Sequence, residues 1–395
     1  MSSFTLARCS LPKASLLSHL NNTSNLRTAI VLPAFTSILH GQRRQYACRI
    51  THPTKLGQLR ARLRKIGQGH IELDLGHAPG LALLTLRNPE KHNALTGKMM
   101  AELADCIDFL EESTDPSPSG ASVTSMALET AASQDGDFPR LHPDSGLILK
   151  SAGKVIKKLD QEHADILKDL VGIIVTGADH KSYCAGLDVA ASKTTLLTSF
   201  AGAEMSALMV STLTRFLRLP LLTIAAVEKA AIGGGAEMTT FCDHRCLADQ
   251  SRVQFVQTQM GVVTGWGGAS RLLNIVSRSH ALRLLASAEP ILGGQTAVDS
   301  GFAQVIAPKG QAVETATEYM QQYVWEKRPG HDQNDPSRGE RRCIGAVRAM
   351  KRIVSHGFDY ERVDSVTDLE KTLFKQLWGG ADNLARVEAA FSKGK

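Results

Sequence analysis

Three apolar runs constrain the fold more than any other feature of this chain. LALLTLRN (residues 81–88), VGIIVTGA (171–178) and LLTIAAV (221–227) are continuous rather than alternating. A strand that is apolar on both faces must be covered on both, which is the pattern of parallel or mixed sheet in an α/β architecture. Between the runs the period becomes helical. After Thr96, Met100, Leu103, Ile107 and Leu110 recur at spacings of three and four. Met205, Met209, Leu213 and Phe216 do the same before Pro220 breaks the pattern. Residues 147–167, 271–287 and 296–299 are also expected to be helical. So is the C-terminal stretch carrying Val363, Val366, Leu369, Leu373 and Leu377. Residues 113–146 are rich in Ser, Pro, Gly and Asp and read as a low-complexity insertion.

Charge divides the chain. Residues 1–71 hold eleven Lys or Arg and no acid, and the remainder, with 34 basic and 39 acidic residues, is net negative. The overall net charge of +6 is therefore a property of the leader and argues against a nucleic-acid-binding surface on the folded part. A Ser-, Leu- and Arg-rich leader without acids fits a mitochondrial transit peptide, with QRRQYA (residues 42–47) as the processing region. No apolar stretch is long enough to span a bilayer. The seven cysteines are odd in number, scattered and free of any CxxC pair. That excludes a disulfide framework, and Cys242 with Cys246 lacks the second ligand pair of a structural zinc site.

The chemistry concentrates at AIGGGAEMTTFCD (residues 231–243). The run fails both the GxGxxG fingerprint and the P-loop pattern. A tight strand-to-helix turn is the better reading: glycine permits positive φ and close approach, and the unpaired N–H groups of a helix start favour negative charge. Gly234 N–H can then donate to an oxyanion. Glu237 either complements the helix dipole or takes part in catalysis. A second glycine loop, SYCAGLD (residues 182–188), follows the second apolar run. Two backbone donors from separate loops make an oxyanion hole.

Four ordered motifs carry a family resemblance: RNPEKHNAL (87–95), SYCAGLDV (182–189), IGGGAEM (232–238) and GVVTGWGGASRL (261–272). Together they resemble the crotonase, or enoyl-CoA hydratase/isomerase, superfamily, from about residue 73 to the C-terminus. The resemblance implies an α/β fold with a crotonase/ClpP-like ββα spiral core and a C-terminal helical trimerisation region. It implies an acyl-CoA thioester ligand and no cofactor beyond the CoA of the substrate. No metal, nucleic-acid or membrane partner is expected, and the assembly is a homotrimer or a dimer of trimers. The implied oxyanion donors are Leu187 and Gly234. Lys91, His92 and Ala94, with Ala185, Asp188, Val189 and Gly233, would line the CoA and substrate path.

Hydratases of this family use two glutamates. Glu237 matches the first, whereas Gln257 stands at the second position, and an amide cannot act as acid or base near neutral pH. Gln257 is left to hydrogen-bond a substrate carboxylate or a water. STLTRFLRLPLL (residues 211–222) and LWGGADNLARVEA (377–389) are similar to the family's decarboxylating branch, which acts on ethylmalonyl-CoA and methylmalonyl-CoA. Loss of CO2 from a 2-carboxyacyl-CoA leaves a thioester enolate, which needs an oxyanion hole more than a strong base. Trp266 is a candidate apolar wall against the substrate carboxylate, or a core residue. An ionised Glu237 would repel that carboxylate, which favours its neutral form. The alternatives are an enoyl-CoA hydratase or isomerase and a non-catalytic crotonase-fold binding protein. The expected layout is a basic leader over 1–71, a core over 72–290 interrupted at 113–146, and a helical region over 291–395.

Overall fold

Burial of the three apolar runs on both faces organises the molecule. The computed structural model describes residues 53–114, 145–180, 182–193, 195–326, 339–356 and 360–392. The processing region, Cys9, Cys48 and almost all of the insertion lie outside the described residues. In chain order the first elements are α1 (Pro53–Leu63), β1 (His70–Ala78), β2 (Leu81–Arg87), α2 (Gly97–Thr114), β3 (Ile148–Ser151), β4 (Lys154–Val155) and α3 (Gln161–Lys168). Then come β5 (Gly172–Gly177), α4 (Val189–Ser192), α5 (Ser199–Arg218), β6 (Leu222–Val227), β7 (Ala230–Ile232), α6 (Gly234–Thr239), β8 (His244–Ala248) and β9 (Arg252–Gln254). The rest comprises α7 (Gly268–Leu272), α8 (Arg278–Ala286), β10 (Ile291–Leu292), α9 (Gln295–Asp299), β11 (Val305–Ala307), α10 (Ala312–Met320), α11 (Ile344–His356), α12 (Tyr360–Leu377) and α13 (Ala381–Ser392).

Eight strands form one sheet in the order β11-β8-β6-β5-β2-β1-β3-β4, and β10-β9-β7 form a second. The apolar runs are β2, β5 and β6, three adjacent parallel strands at the centre of the large sheet. Leu84, Ile173 and Val175 face the core shared with Leu103 and Ile107 of α2 and Met209 and Leu213 of α5. Leu81, Ile174 and Ile224 face Ala312, Ala316 and Met320 of α10. Helices on both sides explain why these strands do not alternate.

Three segments differ from the sequence expectation. Residues 147–156 form a hairpin rather than a helix, and only Gln161–Lys168 of the expected span is helical. Ala152 and Gly153 have φ of 46° and 79° and make the turn, and Leu149 pairs with Leu73 of β1. A strand partner outweighs the helical spacing. The expected helix over 271–287 is two helices, because Ser277 caps a new one by accepting from His280 N–H at 3.4 Å. The stretch grouped with the leader contains α1, whose Leu59 and Leu63 are buried. Arg64 grips Asp105 of α2 with two hydrogen bonds, at 2.6 and 3.0 Å, and Arg60 reaches the same carboxylate at 3.1 Å. Part of the leader's basic excess is thus neutralised within the fold.

Candidate functional site

The site begins where β7 ends. Gly233, with φ 56° and ψ −116°, turns the chain into α6 at a backbone conformation that residues with a Cβ rarely adopt. Its own N–H donates to Gln254 O at 2.9 Å, which ties the turn to β9. Gly234 is then the first residue of α6, and its N–H has no acceptor within the helix.

The second glycine loop is zipped alongside. Ile232 N–H donates to Cys184 O at 2.9 Å and Tyr183 N–H to Ala230 O at 2.9 Å. A Cβ placed on Gly186 would lie 2.7 Å from Ile232 O and 3.1 Å from Gly234 N, so only glycine allows this approach. On its other side the loop pairs with residue 95: Leu95 N–H donates to Gly186 O at 2.7 Å and Asp188 N–H to Leu95 O at 2.8 Å. That register turns Leu187 N–H away from Leu95. Among the described residues, neither Leu187 N–H nor Gly234 N–H donates to a protein backbone acceptor. Both expected oxyanion donors are therefore free, on adjoining loops. Cys184 between them is no nucleophile, since burial pushes its thiol up to about 12.

Glu237 follows on the first turn of α6 and is 2% exposed. Its carboxylate accepts from Gln257 Nε2 at 2.8 Å, Trp266 N–H at 2.8 Å, Gly268 N–H at 3.0 Å and Gly265 N–H at 3.3 Å. Burial pushes the carboxyl above its ordinary range, and these four donors pull it back in part. The Gln257 amide is thus engaged through nitrogen, leaving its Oε1 buried and unpartnered. The reverse orientation would set oxygen against a carboxylate. An acceptor suits a water or a protonated group. Of the two expected partners of Gln257, a water or a substrate carboxylate, an unpartnered Oε1 suits the water.

Trp266 is 3% exposed and its indole packs on Gly234, where a Cβ would lie 2.3 Å from the ring. It serves both as core residue and as wall beside the donor. Asp188 accepts from Ala191 N–H at 2.9 Å and caps α4, which begins at Val189. Lys91 and His92 are exposed, and Ala185, whose N–H donates to His92 O at 3.0 Å, joins their loop to the glycine loop. Ala94 is buried. Between these residues sits Asn93, expected as part of the CoA-lining loop, whose anchoring role the sequence reading left out. Asn93, fully buried at φ 56°, accepts from Asn88 N–H at 3.0 Å and donates to Ala178 O at 3.0 Å and Ser182 O at 2.7 Å. It bolts the 88–95 loop to the start of the glycine loop. Asparagine's tolerance of positive φ is the signal that could have marked it.

A second omission is Glu370 of α12, 6% exposed, which accepts from Ala269 and Ser270 N–H at 3.4 Å each. Burial, followed by the charge of Glu237, pushes its carboxyl up to about 8. The signal was an acid on the inward stripe of α12, four residues from both Val366 and Phe374. A cleft of about 280 Å³ lies near the C-terminal end of α6, lined by Thr240, Arg245, Arg271, Asn274 and Gln304, and does not include the glycine loops. Among the described residues no group of acids, cysteines and histidines is placed to hold a metal ion.

Two free backbone donors from adjoining glycine loops, set on a mixed α/β core beside a buried carboxylate, define a crotonase-type site. Comparison with known proteins agrees, and the chain belongs to the enoyl-CoA hydratase/isomerase (crotonase) family. Residues 152–333 match the enoyl-CoA hydratase/isomerase family model. The chain is 30% identical to the ethylmalonyl-CoA decarboxylase of Xenopus laevis over 85% of its own length and 87% of the relative's. For the ethylmalonyl-CoA decarboxylase of Rattus norvegicus the identity is 30%, covering 87% and 90%. Among solved structures, an enoyl-CoA hydratase/isomerase from Xanthobacter autotrophicus Py2 superposes with a TM-score of 0.57 at 16% identity, covering 82% of this chain and 93% of that one. One from Mycobacterium paratuberculosis gives 0.55 at 16%, covering 81% and 97%. These share the fold.

Proposed function

We propose that this protein decarboxylates a 2-carboxyacyl-CoA of the ethylmalonyl-CoA type. The observation that carries the reading is the pairing of two free oxyanion donors with a single acid. Among the described residues, Leu187 and Gly234 N–H are unengaged, and the only side chain bonded to Glu237 is an amide. The vertebrate relatives bear the corresponding name.

In the reaction the bond between C2 and the carboxylate carbon breaks and CO2 leaves. The electron pair moves onto C2 and the thioester oxygen, giving an enolate. Leu187 and Gly234 N–H groups hold the oxygen, and donors preorganised at such a position contribute about 3–4 kcal/mol each. The enolate then takes one proton at C2, so turnover consumes a proton. Glu237 in its neutral form is the donor. Gln257 suits both states of that carboxyl, giving Nε2–H to the anion and, after an amide flip, accepting from the acid through Oε1. Trp266 excludes water beside the donor.

The purified protein is expected to release CO2 from ethylmalonyl-CoA, with methylmalonyl-CoA slower, and to hydrate crotonyl-CoA barely at all. Rapid hydration without CO2 release would overturn the reading in favour of a hydratase. Gln257→Glu places a second carboxyl against Glu237 and removes a charge-assisted hydrogen bond. It should cut CO2 release by roughly 10- to 100-fold, from the ~1.5–3 kcal/mol typical of such bonds. Crotonyl-CoA hydration should rise in the same variant, and unaltered activity on both substrates would remove Gln257 from the argument.

The family's trimer also extends to this chain as a proposal. Met350, Ile353 and Val354 of α11 and Leu369 and Leu373 of α12 are exposed apolar residues, which supports burial against other subunits. Sedimentation velocity should give a trimer or a hexamer, and a monomer at micromolar concentration would refute this.

A further inference from the structure

The 264–270 loop serves two buried carboxyls, Glu237 of α6 and Glu370 of α12. Gly265, Trp266 and Gly268 N–H groups point at Glu237, whereas Ala269 and Ser270 N–H groups point at Glu370. Around Glu370, Thr367 one turn back bonds Ser270 Oγ at 2.9 Å, and Phe374 one turn on packs so closely on Gly265 that a Cβ there would lie 2.6 Å from its ring. The C-terminal helix therefore grips this loop at both ends and through its N–H groups.

We propose that Glu370 is a positioning residue for Glu237: it fixes the 264–270 loop in the register that aims three N–H groups at the Glu237 carboxylate. This deepens the decarboxylase reading and rests on it for the chemistry. Two adjacent buried carboxylates on one loop cannot both ionise cheaply. The other charged groups around them are few. Arg271 of α7 lies on the Phe241 ring and is held by Gly267 O and Thr214 of α5. On α5, Glu204 pairs with Arg62 and Arg215 with Asp108 and Glu111, and Arg218 closes the helix. Lys371 of α12 pairs with Asp368. Among the described residues, Arg271 is the cation that acts on Glu370, and burial still holds that carboxyl up.

A consequence follows for stability. A carboxyl held up to about 8 in the folded chain binds more protons than its unfolded form above about pH 4.5. Its contribution is fully present below the unfolded value and is lost as pH rises through about 8. The melting temperature should therefore decline from pH 5 to pH 8, and Glu370→Gln should flatten that decline. Glu370→Ala, which releases the loop, should lower kcat for CO2 release about tenfold or more with KM within twofold, since a 1 Å misplacement costs up to ~100-fold. Glu370→Gln should restore most of that rate at pH 7. A Glu370→Gln protein with the wild-type slope of melting temperature against pH, or a folded Glu370→Ala protein with wild-type kcat, would overturn the proposal. Should Glu370→Ala not fold, the slope decides. The melting series needs no substrate, so its failure is distinct from failure of the CO2-release assay.

Discussion

Gly234→Ala is expected to reduce the rate of CO2 release by about 100- to 1,000-fold, the loss typical of removing one oxyanion donor. The added methyl group would occupy the position of the Trp266 indole. Either the ring or the α6 start must move, and both carry the site: the backbone N–H of Trp266 bonds Glu237 at 2.8 Å, and Gly234 N–H is the oxyanion donor. Unlike most glycine substitutions, this one leaves the favoured backbone region untouched, since the positive φ belongs to Gly233. The defect should fall on kcat more than on KM, because the oxygen acquires its charge only in the transition state. Stopped-flow or coupled CO2 assays on the folded variant measure it. Turnover within a few-fold of wild type would remove Gly234 from the oxyanion hole.

Glu237→Ala should do two separable things. It strips the partner from four buried donors, namely Gln257 Nε2 and the N–H groups of Gly265, Trp266 and Gly268. Breaking such a buried charged network costs about 3–5 kcal/mol, which for a domain of this size lowers the melting temperature by on the order of 10 °C. It also deletes the proton donor for C2, a loss of ~100- to 10,000-fold for a general acid. Glu237→Gln separates them, because it keeps the volume and one acceptor oxygen while removing the titratable group. The expected pattern is a smaller melting shift than Ala with an equally poor rate. If Gln retains wild-type turnover, Glu237 is a structural anchor for the Trp266 loop, and the C2 proton comes from water.

What the sequence disclosed and what it hid separate along a physical line. The central strands were readable because β2, β5 and β6 are apolar on both faces. The oxyanion loops were readable because close backbone approach at Gly186 and the turn at Gly233 admit little but glycine. Local chemistry is written locally. The 147–156 hairpin was not, since its strand character comes from a partner more than seventy residues earlier, Leu73 beside Leu149. The cage around Glu237 was equally invisible: three of its four donors are backbone N–H groups, which every non-proline residue carries. Counting back from Gly261 singled out Gln257, which lies against Glu237, yet its orientation required the structure, because an amide's two ends are decided by its neighbour. The anchoring role of Asn93 and the place of Glu370 were illegible for related reasons. One acts through three distant backbone groups, and the other looks like a surface acid until α12 is laid on the 264–270 loop.

The grip of the C-terminal helices on that loop also sets a timetable. Glu370 holds Ala269 and Ser270, Trp378 Nε1 donates to Leu196 O at 2.6 Å, and Asn383 donates to Met260 O at 2.8 Å. During synthesis the glycine loops and Glu237 emerge well before these contacts exist. At 5–20 residues per second the ribosome needs roughly 6–23 s to travel from the loop to Asn383. For that interval the nascent chain has its central strands and no finished site, so an acyl-CoA meets a competent catalyst only after the C-terminal helices have been made.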